Sequence, residues 1–118
     1  MSSRNHRIDY IEFTVTDMQT SKDFYSKVFG WEFTDYGPGY AGIKGEEREP
    51  GGLSVGEPTK GGPLIVLYAD DLEATFAAVK EAGATIAQEI FEFPGGRRFH
   101  FLDPSGTELA VWTQTEHA

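Results

Sequence analysis

Apolar and polar positions in this chain follow two spacings, and the spacings switch in the same order twice. Between Ile8 and Val15, Ile11, Phe13 and Val15 alternate with Tyr10, Glu12 and Thr14. That is the period-2 pattern of a strand with two unlike faces. Asp17 stands where an N-cap belongs. Met18, Ser21, Phe24, Tyr25, Val28 and Phe29 then recur at helical spacing, and Gly30 supplies the stop. Trp31 to Tyr36 alternates again, Tyr40 to Lys44 predicts a short strand, and a charged loop over 45–50 leads to a further extended stretch, Gly51 to Val55. In the second half, Leu64 to Ala69 predicts a strand and Asp70 or Asp71 caps a helix. The apolar stripe of that helix is Leu72, Phe76, Val79 and Ala82, with Gly83 as its stop. Ile86 to Phe93 is extended, Pro94-Gly95-Gly96 turns, Arg97 to Leu102 largely alternates, and Asp103-Pro104-Ser105-Gly106 turns before a closing strand, Leu109 to Thr113.

Asp17 and Asp71 stand 54 positions apart (71 less 17), with Met18 matching Leu72 and Val15 matching Ala69. The chain therefore reads as an internal repeat of two βαβββ units, about 1–56 and 62–118, in one domain spanning 1–118. Gly56 to Pro63 forms the joint. At 118 residues the chain is long enough to bury a core without staples. With no cysteine, disulfides and thiol chemistry are excluded. Ten Lys and Arg against nineteen Asp and Glu leave a net charge of −9, and Arg97-Arg98 is the only adjacent basic pair. Phosphate neutralisation needs clustered cations, so a nucleic-acid partner and an anionic membrane surface are not expected. No apolar run approaches a membrane span and no signal segment opens the sequence, which reads as cytoplasmic.

The opening IDYIEFTVTD…SKDFYSKVFGW and the closing DPSGTELAVW resemble the vicinal oxygen chelate superfamily, which includes glyoxalase I, extradiol dioxygenases, and fosfomycin- and bleomycin-resistance proteins. The resemblance covers nearly the whole chain. It implies an α+β fold in which the two βαβββ units form a cup-shaped, eight-stranded mixed sheet with the helices outside. It also implies a homodimer. In catalytic members the cup holds a divalent ion that binds vicinal oxygens through open coordination positions. The ligand positions implied by the resemblance fall on Tyr10, Leu64, Ala110 and the stretch Gly52 to Ser54. Leucine and alanine have no side-chain donor and a phenol is a poor substitute for imidazole, so no metal ligand and no cofactor are expected. A displaced divalent metal on Glu12, His100 and Glu108 is the alternative.

Alternation also orients the second half. If Phe99 and Phe101 pack under a helix, Arg98 and His100 point the other way. The same logic turns Tyr10, Glu12 and Thr14 to the face away from the helices, together with Tyr68 and Trp112. Tyr10, Glu12, Tyr68, Arg98, His100 and Trp112 are thus the expected ligand-binding set, with flat apolar walls and a few orienting polar groups. His100 is the candidate acid–base and Glu12 its candidate partner. Gly37-Pro38-Gly39-Tyr40-Ala41-Gly42 matches G-x-G-x-x-G formally, but no helix follows it, and it reads as a hairpin turn. Gly95-Gly96 before Arg97-Arg98 reads as a tight turn beside a salt-bridged strand. His6 and His117 fall near the ends and carry no functional expectation. Together these features point to a small-molecule-binding protein without a resident metal. The alternative is a glyoxalase-like lyase, isomerase or dioxygenase using a displaced metal or a His/Glu pair.

Overall fold

The computed structural model describes residues 4–57 and 62–115. The middle of the Gly56–Pro63 joint and His117 lie outside the described residues. Eight strands and two helices occur in the order β1 (Ile8–Val15), α1 (Met18–Phe29), β2 (Phe33–Asp35), β3 (Tyr40–Ile43), β4 (Gly51–Val55), β5 (Leu64–Tyr68), α2 (Leu72–Glu81), β6 (Thr85–Phe93), β7 (Gly96–Leu102) and β8 (Glu108–Gln114). The fold is α+β with mixed strand pairing, and the βαβββ order occurs twice. Cα proximity divides the chain into two compact units. One is Tyr10–Leu64, and the other joins residues 65–115 to the segment ending at Asp9.

In the unit 10–64 the strands run β2-β3-β4-β1. β1 pairs parallel with β4, which sets Glu12 beside Gly52 and Phe13 beside Leu53, while β3 pairs antiparallel with both β4 and β2. The β2–β3 pairing confirms that the glycine-rich run 37–42 is a hairpin. Asp17 caps α1 by accepting from the Thr20 amide, and Gly30 ends it with a left-handed φ of 74°. That φ carries little cost only without a Cβ. The helix rests on an aromatic cluster in which Tyr25 stacks on Trp31 at 4.7 Å and meets Phe13 at 6.2 Å. No residue of α1 is fully buried, and Phe24, Val28 and Phe29 are each more than half exposed.

The other unit has the order β5-β8-β7-β6. β5 pairs parallel with β8, and β7 antiparallel with β8 and β6. Asp71, rather than Asp70, caps α2 by accepting from the Ala74 amide. The core lies between α2 and one sheet face, where Ala69, Leu72, Phe99 and Val111 are essentially inaccessible and Phe76, Val79 and Phe101 pack against them. Phe99 meets Phe76 edge to face at 5.0 Å. Arg97 forms a two-pronged ion pair with Glu73 at the start of α2, as the salt-bridged-strand reading of this turn anticipates. Among the described residues no helix is long and apolar enough to cross a membrane.

Candidate ligand-binding faces

Cross-strand partners share a face, so the registers assign each side chain. In the unit 65–115, Arg98 pairs with Trp112, His100 with Ala110, and Tyr68 with Trp112. Tyr68, Arg98, His100 and Trp112 therefore lie together on the face opposite Phe99, as the alternation predicts. Tyr68 and Trp112 meet edge to face at 5.2 Å. The Arg98 guanidinium lies 5.6 Å from the Phe91 and Phe93 ring centres, and Phe91 stacks on His100 at 5.9 Å. His100 is 6% exposed. Its Nδ1 lies 2.9 Å from Glu108 Oε2, so within this unit its carboxylate partner comes from β8. Glu12, the partner expected from sequence, belongs to the other unit.

There, Tyr10 and Glu12 share a face with Tyr40. The Tyr10 and Tyr40 hydroxyls are 2.5 Å apart, and the Tyr40 hydroxyl donates to Glu12 Oε2 at 3.0 Å. A hydroxyl has one proton, so Tyr40, having donated to Glu12, accepts from Tyr10. Burial, less the relief from its bond to Tyr40, pushes the Tyr10 phenol up to about 12. Burial and the neighbouring Glu12 carboxylate push Tyr40 higher still. Both phenols stay protonated at neutral pH. Gly52 makes this possible, because a Cβ there would overlap both hydroxyls. Tyr36 extends the cluster by donating to Glu49 at 2.6 Å.

Two more residues at the Tyr68–Trp112 pair were not legible in the sequence. Asp9 accepts from Trp112 Nε1 at 2.8 Å, and Arg4 places its guanidinium 3.8 Å from the Tyr68 ring centre. Asp9 alternates with Tyr10 and so reads as facing away. Arg4 lies in an irregular segment for which periodicity says nothing.

The residues present do not fit a divalent ion at the implied positions. Tyr10 is a neutral phenol already bonded to Tyr40, Leu64 and Ala110 are buried hydrocarbons, and Gly52 lies beneath the two phenol oxygens. Among the described residues no three His, Cys, Asp or Glu side chains are grouped to hold a metal.

This fold and these faces define a glyoxalase-like scaffold. The chain belongs to the Glyoxalase/Bleomycin resistance protein/Dioxygenase superfamily, whose sequence profile matches residues 7–111. It is 26% identical over 122 residues to "Putative glyoxylase CFP32" of Mycobacterium bovis, a match that covers 92% of this chain and 46% of that protein. The chain thus spans about half the length of the curated relatives it matches. Among solved structures, the Mn(II)-bound glyoxalase from Novosphingobium aromaticivorans superposes with a TM-score of 0.69 at 27% identity, covering 99% of this chain and 44% of that one. Methylmalonyl-CoA epimerase from Mycobacterium tuberculosis shares the fold, with a TM-score of 0.73 at 13% identity, covering 98% and 93%.

Proposed function

We propose that this chain binds a small organic molecule on its aromatic, partly charged sheet faces and keeps no resident divalent metal. The observation that carries this reading is the hydrogen-bonded series Tyr10–Tyr40–Glu12, which engages the phenol standing where the superfamily would place a metal donor. Flat aromatic surface beside a few fixed polar groups suits a planar ligand. On the face of unit 65–115 the walls are Tyr68 and Trp112, and Arg98 and His100 orient the ligand. On the face of unit 10–64 the orienting groups are Tyr10 and Glu12. The protein acts in the cytoplasm as a homodimer under this proposal.

The test is elemental analysis of the purified protein alongside a thermal-shift screen of divalent ions and aromatic compounds. We expect no stoichiometric metal, no shift with manganese, nickel or zinc, and stabilisation by aromatic compounds that Trp112→Phe reduces. Near-equimolar metal retained through gel filtration, and lost in Glu12→Ala or His100→Ala, would overturn the reading in favour of an enzyme.

One observation favours a second reading. The His100–Glu108 contact is the arrangement that fixes an imidazole tautomer and readies the ring to carry a proton, as a lyase or isomerase requires. In that case Glu108→Gln lowers turnover of a carbonyl substrate while leaving thermal stability nearly unchanged.

A further inference from the structure

Arg4 occupies a set of partners made for a cation. Its guanidinium lies over the Tyr68 ring at 3.8 Å and 5.6 Å from the Trp112 ring centre. Its Nη2 donates to Gln114 Oε1 at 3.0 Å, and its Nη1 is 3.9 Å from Asp9 Oδ1. The Asp9 side chain is 1% exposed and is held in place by the Trp112 indole N–H at 2.8 Å. Every group presented to the guanidinium is thus an acceptor: a buried carboxylate, an amide oxygen, and two π faces whose quadrupoles attract positive charge. The buried carboxylate and the two π faces disfavour an anion here. The Asp9 carboxylate is sealed from water, whereas the Arg4 side chain above it is 27% exposed. The backbone around it is fixed independently, with the His6 amide on Tyr68 O at 2.6 Å, the Tyr68 amide on Arg7 O at 3.1 Å, and Asn5 Oδ1 on the Asp70 amide at 2.7 Å. His6 Nε2 also lies 3.2 Å from Thr75 Oγ1.

We propose that Asp9, Tyr68, Trp112 and Gln114 form a binding site for small organic cations of the guanidinium or alkylammonium class, and that Arg4 is its tethered internal occupant. The inference rests on the reading of the Tyr68–Trp112 face as a ligand face, and it adds the charge of the ligand. A tethered group acts at an effective concentration in the millimolar range. A free cation must compete with it, and where the tethered group's own dissociation constant is a tenth of that effective concentration or less, binding weakens ~10-fold or more relative to a chain lacking the Arg4 side chain.

The experiment uses Trp31→Phe as the background, leaving Trp112 the only indole of the two in the chain. Methylguanidinium chloride and tetramethylammonium chloride are titrated against matched sodium chloride, with Trp112 emission as the readout. Added Arg4→Ala is expected to give a saturable response, the Arg4-containing parent at least ~10-fold weaker binding, and added Asp9→Asn none. Arg4→Gln, which keeps a polar side chain beside Gln114, serves in its place if the alanine variant fails to fold. A folded Arg4 variant without a saturable response overturns the proposal, as does equal affinity with and without Arg4. If neutral aromatic compounds still perturb Trp112 in that case, the ligand-face reading stands and only the cation class falls. If nothing perturbs Trp112, both fall.

Discussion

Phe99→Ala tests the division of the unit 65–115 into a core face and a ligand face. The Phe99 ring is wholly inaccessible, edge to face with Phe76 at 5.0 Å and tilted against Phe101 at 6.2 Å. Removing a phenyl group of this kind withdraws about 150–250 Å² from burial, and at about 25 cal/mol per Å² that corresponds to ~4–6 kcal/mol as an upper bound. Alanine keeps the Cβ and the site relaxes partly, which brings the expectation to about 3–5 kcal/mol, aromatic contact included. Total stabilities run to about 5–15 kcal/mol, so the variant is at or near the edge of folding. Urea unfolding followed by far-UV circular dichroism reads the loss as a lower midpoint at unchanged slope. Phe101→Ala, at a half-buried ring, costs less. Trp112→Phe keeps most of its ring and deprives buried Asp9 of one donor, which costs about 1–3 kcal/mol. A loss under ~1 kcal/mol at Phe99, or a larger loss at Trp112 than at Phe99, would show the two faces assigned the wrong way round.

Alkaline pH provides a second test. Tyr10 is raised from about 10 to about 12 in the folded chain, so its contribution is complete below pH 10 and is lost as pH climbs through 12; unfolding midpoints should fall in that window, and less steeply in Tyr10→Phe. The glycines divide by what a methyl group would meet. Gly51→Ala would overlap the Ile11 carbonyl oxygen and block β1–β4 pairing, so no soluble folded protein is expected, whereas Gly42→Ala meets only the movable carboxylate end of Glu49 and should fold, as circular dichroism will show. Light scattering at micromolar concentration should return a dimer, and a species of 13.1 kDa alone would refute that expectation.

The strand faces were legible because alternation is strict where it matters. Arg98, Phe99, His100 and Phe101 point as their spacing says, and both helix caps are local hydrogen bonds that a short window can read. Partner choice was legible only in part, because Glu108 enters beside His100 in the sequence only as a donor for a displaced metal. The carboxylate facing His100 within its unit is set by the β7–β8 register, which depends on the turn at 103–106 and not on the residues themselves. Phe91 and Phe93 were hidden differently. Irregularities between Ile86 and Gln88 and between Gln88 and Phe91 break the period of two in β6 and bring Gln88, Phe91 and Phe93 onto the face of His100 and Arg98. Tyr40 opens a strand that the sequence predicts, but its place beside Glu12 depends on β4 lying between β3 and β1. The partners of Arg4 lie in β1, β5 and β8, well separated in sequence, and no local pattern anticipates such a convergence.

The loose seating of α1 has a kinetic consequence. Twelve residues held by aromatic contacts, the Lys22–Asp35 pair at 2.6 Å and the Ser26–Trp31 bond at 2.8 Å, with no side chain fully buried, can detach at a free energy below that of global unfolding, whereas α2 is tied to Phe99 through Leu72 and Phe76. Amide protons of α1 should then exchange through local opening while those of α2 wait for the whole unit to open. Under native conditions a small standing population should have Tyr25 lifted off Phe13 and Trp31. Cleavage after Lys22 or Lys27 within α1 would measure how often the helix lifts.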